Sequence, residues 1–499
     1  MDQANRLEPP ETGERRALWT GIALALLSCL PFLVANKPQQ GDWPSHLARY
    51  HVMLERDGNA FLEKYYGFEW IWTGNLGVDM LMVPLGRLMG VEPAAWLIYF
   101  LLPPLTGLAI LSVEWALRGR IGVGSLLAMT FIWSPSMLMG FANYSLAVAL
   151  ALFAFAAWVK LEGKRWRAPL FIALGWIVWL SHSAGWGALG VMVFGYEWHR
   201  QKSWRSFLAP WPLFFPFLAM VGAPGIEGSF NYGGDALTYK LAIWLKALSD
   251  QSMYLDMLSL LLVVMLIGFA VHAGKLDGRI GWAALLIAVL TIAVPRHLGG
   301  GDYADRRLIP IALMLGCLAI NRRATGYLLI LAPLLFLGRL GVTTATWHKE
   351  SAQLDRALVA LEHIPEGARV AGAWSYFVGR WGPDAFAHAP SYSTIYRDAL
   401  VNTHFALEGV HMLTIRGTDA PFSDPTQRVH TDLGEAVDLS DFAPAKEADY
   451  LWYFGDEPVS ALPPGAKVLH RSDKSLLAKL DSAPPADAKP ALAKPAGER

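Results

Sequence analysis

The sequence predicts an α-helical polytopic membrane protein of about 11 transmembrane helices, with a small C-terminal α/β domain outside the membrane. Three observations carry that expectation. Charged residues make up only 17% of the 499, against about a quarter in soluble domains, and hydrophobic residues reach 54%. Apolar runs of spanning length recur from residue 17 to residue 343. Beyond residue 344 the runs shorten to strand length and are broken by turn residues.

In chain order, the expected spans lie at 17–35, 95–117, 122–139, 142–160, 168–183, 184–197, 207–222, 255–273, 280–294, 307–320 and 325–343. Residues 1–16 are polar and mixed in charge. Leu18 to Ala35 has no small-residue cleavage site and reads as an uncleaved first helix, not a signal peptide. The stretch 76–90 is apolar but short and carries Asp79, Pro84 and Arg87, so it reads as a helix lying against the membrane face. With that reading, Arg15/Arg16, Arg118/Arg120, Lys160/Lys164/Arg165/Arg167, Arg200/Lys202/Arg205, Lys275/Arg279 and Arg322/Arg323 all fall on one side. The positive-inside rule makes that side the cytoplasm, with the N-terminus inside and the C-terminal domain outside.

The expected domains are therefore a multi-span domain over 1–343, whose first outer loop is 36–94, and an extracytoplasmic α/β domain over 344–482. Leu354 to Glu362 reads as an amphipathic helix there, and Ala368–Gly372, Tyr450–Phe454 and Leu476–Leu480 read as strands. Residues 483–499 are Pro/Ala-rich with no core residues and read as a disordered tail. Equal numbers of basic and acidic residues, with no basic patch, argue against nucleic acid as a partner. Cys29 and Cys317 both sit in apolar runs, which argues against a disulfide.

The outer loops collect polar side chains of a kind that the inner loops lack. Gly41-Asp42-Trp43-Pro44-Ser45-His46-Leu47-Ala48-Arg49-Tyr50-His51 puts an acid, two histidines and an arginine within roughly two helical turns. A helix starting at Pro44 aligns His46, Arg49 and Tyr50 on one face. Asp42 precedes it, where the helix dipole favours a carboxylate. Asp42 reads either as a cap or as a catalytic carboxylate. Asn143, His182 and His297 add polar groups from three further loops, and Arg306-Arg307 places two guanidiniums on the side that the positive-inside rule depletes of them. The plainer readings are a cap for Asn143, a packing role for His182 and interfacial snorkelling for the arginines. The Trp-rich helix ends read as an interfacial belt.

One span, a long outer loop opening on an acid, a juxtamembrane helix, many further spans and an outer C-terminal domain form a recognisable order. It resembles the GT-C superfamily of polyprenyl-phosphate-sugar-dependent glycosyltransferases, in the branch of protein O-mannosyltransferases and aminoarabinose transferases. The residues that carry the resemblance are Gly41-Asp42-Trp43, Trp133-Ser134-Pro135 and Asp305-Arg306-Arg307-Leu308-Ile309-Pro310. It implies a bacterial-type inner (plasma) membrane location and a lipid-linked sugar donor. It further implies a glycan, lipid or protein acceptor and an inverting transfer with Asp42 as base. His46, Arg49, Asn143, His182, His297, Arg306 and Arg307 would bind substrate. Thr73-Gly74-Asn75-Leu76 stands where that branch has His-Pro-Pro, and there is no clear Asp-x-Asp, which leaves the sugar and any divalent metal open. The competing readings are a transporter or flippase and a non-catalytic assembly factor for envelope polysaccharide. Mid-span acids, the usual marker of a transport path, are nearly absent.

Overall fold

The computed structural model describes residues 12–221, 231–298, 301–377, 379–406, 410–416, 428–432 and 434–481. The tail 483–499, read as disordered, and part of the expected loop 223–254 lie outside the described residues. The chain divides into two compact units. One comprises Met1–Trp43, Glu69–Ala352 and Gly379–Ala385; the other comprises Pro44–Phe68, Gln353–Val378 and Phe386–Arg499.

The first unit is helical. Four helices among the described residues are long and apolar enough to cross a membrane: Val91–Arg118, Ala142–Lys160, Met253–His272 and Leu328–His363. Arg167–Ser181, Gly278–Ala293 and Leu308–Ala319 are apolar but shorter. Ser183–Gln201 follows Arg167–Ser181 with a single residue, His182, between them. The stretch expected to lie as a helix at 76–90 is the helix Gly77–Met89.

Three expected spans are not continuous helices, and proline accounts for it. The run 207–222 is resolved into the short turns Trp204–Leu208 and Trp211–Leu213 and the helix Phe217–Val221. Pro210, Pro212 and Pro216 lack the N–H groups that a helix needs there. The run 122–139 breaks between Phe131 and Pro135, where Ser134 is extended (ψ 163°), as the residue before a proline tends to be. The run 17–35 splits into Thr12–Leu27 and Leu30–Val34, the second with Pro31 in its first turn. Conversely, Ala236–Leu245 forms a helix within what reads as a loop in the sequence.

A buried acid staples the turn after Val91–Arg118. Glu114, fully buried, accepts from the backbone N–H groups of Gly122 and Ser125 (3.0 Å each), from the Ser125 hydroxyl and from Arg118 Nη1 at 2.7 Å. Arg118 also reaches Asp277 at 3.2 Å and the Leu318 carbonyl at 2.7 Å, so its charge is fully used. Aromatic edges fill another part of this unit: Phe32 lies 4.9 Å from Trp347, which lies 5.3 Å from Trp133.

The second unit is a mixed sheet with short helices. Its central strand, Arg369–Phe377, runs parallel to Leu400–Val401, Arg428–Thr431 and Tyr450–Phe454. Tyr450–Phe454 then pairs antiparallel with Ser475–Lys479, which pairs with Lys467–Arg471. The expected strands at 368–372, 450–454 and 476–480 are thus neighbours in one sheet. Buried Ala371, Ala373, Leu451, Tyr453, Leu476 and Ala478 give it an apolar face. The segment Pro44–Phe68 is built into this unit. Tyr66–Phe68 pairs antiparallel with Leu413–Ile415, and the Tyr66 hydroxyl donates to the Ala399 carbonyl (2.8 Å) and accepts from the Val401 N–H (3.0 Å). Asp398 receives His51 at 2.9 Å and Asn59 at 2.8 Å. Val52, Leu62, Tyr65 and Tyr66 pack with Leu400 and Leu413.

Candidate functional site

Asp42 ends the loop that precedes the helix Trp43–Glu55. Its backbone N–H donates to the Met139 carbonyl at 2.8 Å, and Trp43 N–H closes a turn onto Gln40 at 3.1 Å. Trp43 is fully buried and meets the Tyr99 ring edge-on at 4.8 Å. Gln40 Nε2 donates to the Met137 carbonyl at 2.5 Å. The acid is therefore held by backbone on the turn that follows Ser134-Pro135, two of the sequence landmarks. Gly41 has to be glycine: a Cβ there would lie 2.9 Å from the Asp384 carbonyl oxygen.

Arg307 stands immediately before the helix Leu308–Ala319. Its carbonyl accepts from the Tyr144 hydroxyl at 2.5 Å, and its guanidinium lies 4.5 Å over the Phe141 ring. Nη1 faces His182 Nε2 at 3.3 Å, while Nε has no hydrogen-bond partner among the described residues. No carboxylate forms an ion pair with Arg307 among the described residues, yet the charges of Asp42 and Asp302 both act on it. Sequence landmarks more than 250 positions apart are thus brought into one electrostatic neighbourhood.

His182 caps the helix Ser183–Gln201: its Nδ1 accepts from the Ala184 N–H at 3.0 Å. In the neutral imidazole that contact puts the ring proton on Nε2. Nε2–H and the Arg307 Nη1–H then face each other as two donors, so their 3.3 Å approach is a meeting of donors and not a hydrogen bond. Tyr144 meets the same imidazole edge-on at 5.7 Å.

Arg306 is placed differently. Its Nη2 donates to Ser249 Oγ at 3.2 Å, and its guanidinium lies 5.5 Å from the Tyr303 ring centre. Tyr303 has a left-handed backbone (φ 59°), a conformation that costs of order 1–3 kcal/mol in a residue with a side chain. Asp305, fully buried, anchors the pair. It accepts the Arg306 N–H at 2.8 Å, Lys240 Nζ at 2.5 Å and the Tyr239 hydroxyl at 3.3 Å. Lys240 neutralises Asp305, so the anchor does not cancel the arginines. Lys240 has no place in the sequence reading; the signal for it is a lysine within the apolar run Ala236–Leu245.

The remaining expected site residues have other surroundings. Asn143 accepts the Val78 N–H at 2.6 Å and donates to the Asn75 carbonyl and to Asp79 at 2.9 Å each, which fastens the start of the helix Gly77–Met89. His297 Nδ1 lies 3.2 Å from Asp302, which Arg296 also holds at 3.0 Å. His46 and Arg49 belong to the second unit. There the His46 ring lies 6.4 Å from Tyr50 and 5.7 Å from Phe405, and Arg49 lies 5.2 Å from the Tyr50 ring centre. Burial, then Arg49, His388 and His411, holds the His46 imidazole well below its usual range. Among the described residues, no three of His, Cys, Asp and Glu come together as a metal ion would need.

No family model and no curated protein matches the sequence. Among solved structures, the chain is similar to ArnT from Cupriavidus metallidurans, in a crystal structure bound to undecaprenyl phosphate. The similarity covers 92% of this chain and 97% of that one, at 11% sequence identity and a TM-score of 0.49.

Proposed function

We propose that this chain is a multi-pass inner-membrane glycosyltransferase of the GT-C kind. It moves a sugar from a polyprenyl-phosphate carrier to an extracytoplasmic glycan, lipid or protein, with Asp42 as base. The observation that carries the reading is Arg307: a guanidinium that no carboxylate among the described residues holds in an ion pair, within the field of Asp42 and opposed by the donor face of His182. Two opposed donors are relieved by one anionic oxygen placed between them, and guanidinium is the preferred partner of phosphate.

The chemistry follows as a single displacement. Asp42 takes the proton from the acceptor hydroxyl or amine, and the freed electron pair bonds to the anomeric carbon. The bond from that carbon to the phosphate oxygen breaks, and the phosphate leaves with the electron pair. Arg307 and Nε2–H of His182 stabilise that charge where it develops, and Arg306 adds a second positive charge nearby. One displacement on one face inverts the anomeric centre. The reading places the second unit outside the membrane and the N-terminus inside, in keeping with the distribution of Lys and Arg in the loops.

The deciding experiment is mass spectrometry of envelope glycans, lipids and proteins from cells with and without the gene. A single sugar mass is expected to disappear from one class of molecule. Identical profiles would reject the transferase assignment.

A further inference from the structure

Residues Gly379–Ala385 interrupt the second unit in sequence yet pack as part of the first. Their anchors are specific. Trp381 Nε1 donates to Asp256 Oδ2 at 2.7 Å, and Lys246 Nζ donates to the Arg380 carbonyl at 2.9 Å while lying 5.6 Å from the Trp381 ring centre. A Cβ on Gly382 would run into the Asp250 carbonyl, so the strap is pressed against the backbone of the 246–250 turn. Arg380 and Asp384 form an ion pair within the strap.

The receiving surface is itself rigid. Asp256 pairs with Arg339 and accepts the Asp250 N–H at 2.8 Å. Arg339 Nη2 donates to the Leu248 carbonyl at 2.8 Å, and the Thr343 hydroxyl donates to Asp250 at 2.5 Å. Ser249, in the middle of this turn, is the residue that receives Arg306. At its far end the strap presents the Asp384 carbonyl to Gly41, the neighbour of Asp42. One seven-residue segment (379–385) therefore touches both the backbone that carries the proposed base and the turn that holds an arginine of the proposed phosphate site.

We infer that Gly379–Ala385 is a positioning strap, with Trp381 and Lys246 as positioning residues that fix the spacing between Asp42 and Arg306. The inference rests on the transferase reading. Its test uses full-length Trp381→Phe, Lys246→Met and the double variant. Each single change removes one anchor and substitutes none of Asp42, Arg306 and Arg307. The rate at which the sugar mass appears in the envelope after induction, per folded protein, is expected to fall roughly ten- to a hundredfold, as for a misplaced reacting group. Affinity for undecaprenyl phosphate should fall much less. Because both anchors hold one strap, the double variant should be no slower than the slower single variant.

Wild-type rates in both single variants, losses that multiply in the double variant, or an affinity loss as large as the rate loss would each overturn the strap. Hydrogen exchange separates this outcome from failure of the transferase reading. Faster exchange across both 379–385 and 246–250 in Trp381→Phe supports the strap. Unchanged exchange at 246–250 overturns it, whether or not the wild type transfers sugar. A wild type that transfers none overturns the transferase reading itself.

Discussion

Replacing Arg307 by alanine tests the phosphate site most directly. The backbone contribution survives the change, because Tyr144 bonds to the Arg307 carbonyl and not to its side chain. What is lost in the protein is the contact with Phe141, worth about 0.5–2 kcal/mol, and the opposition to His182, whose removal is favourable. Stability should therefore change little. What is lost in the complex is a charged hydrogen bond to phosphate, about 1.5–3 kcal/mol. That corresponds to a Kd for undecaprenyl phosphate weaker by roughly 10- to 150-fold. Calorimetric titration of the protein in nanodiscs measures it. Arg307→Lys keeps the charge but not the planar fork, and should fall between wild type and alanine. Arg279→Ala serves as the control, because Arg279 is already held by Asp277 through two bonds of 3.0 and 2.8 Å. If Arg307→Ala binds undecaprenyl phosphate as tightly as that control, Arg307 does not hold the phosphate.

Asp42→Asn should leave folding and undecaprenyl phosphate binding intact and slow transfer by about a hundredfold or more, since only the base is removed; an unchanged rate takes Asp42 out of the mechanism. Asn143→Leu should lower stability by about 2–3 kcal/mol by stranding Val78 N–H, the Asn75 carbonyl and Asp79, with transfer per folded molecule unchanged. Loss of transfer at an unchanged melting temperature would instead make Asn143 a substrate ligand. Cysteines at Asn75 and Val91 should both react with an impermeant thiol reagent from outside, and labelling of Val91→Cys only after permeabilisation would mean that Gly77–Met89 crosses. His404 supplies a pH prediction, since burial and then His388 bring its imidazole down to about 3. The unfolded histidine takes up its proton near pH 6.5 and the folded one does not. Stability is thus complete above about 6.5 and falls by up to about 1.4 kcal/mol per unit as pH drops toward 3. Thermal melts of His404→Asn should lose that slope, and an identical slope in both proteins would contradict it.

The sequence discloses what depends on local pattern. Ala142–Lys160 and Val91–Arg118 were legible because each is a long, mainly apolar stretch, and Tyr450–Phe454 because a five-residue, mostly aromatic run has strand length. Residues 207–222 have the hydrophobicity of a span, but their three prolines break the helix. Other features depend on partners far along the chain. Asn143 reads as a loop polar group until Val78 and Asp79 are seen beside it, 65 and 64 residues away. His182 shows its donor face only once Ala184 is known to occupy Nδ1. Asp42 and Arg306-Arg307 were legible as residue types at loop ends. That Asp42 acts on Arg307, whereas Arg306 goes to Ser249, was not.

The Tyr66 hydroxyl and the Val401 N–H that it receives are 335 residues apart. During synthesis, Pro44–Phe68 is made long before Asp398, Leu400 and Leu413 exist to receive it, so Tyr65, Tyr66 and Leu62 must wait without their partners while the helices of the first unit are laid down. The second unit is consequently among the last parts of the chain to close, and any stop upstream of residue 400 leaves that apolar face bare. The same dependence sets the terms for working with this unit in isolation. A fragment beginning at Gln353 lacks the strand Tyr66–Phe68 and the His51 and Asn59 side chains that bond to Asp398, whereas a fusion that supplies Pro44–Phe68 from the same polypeptide restores both.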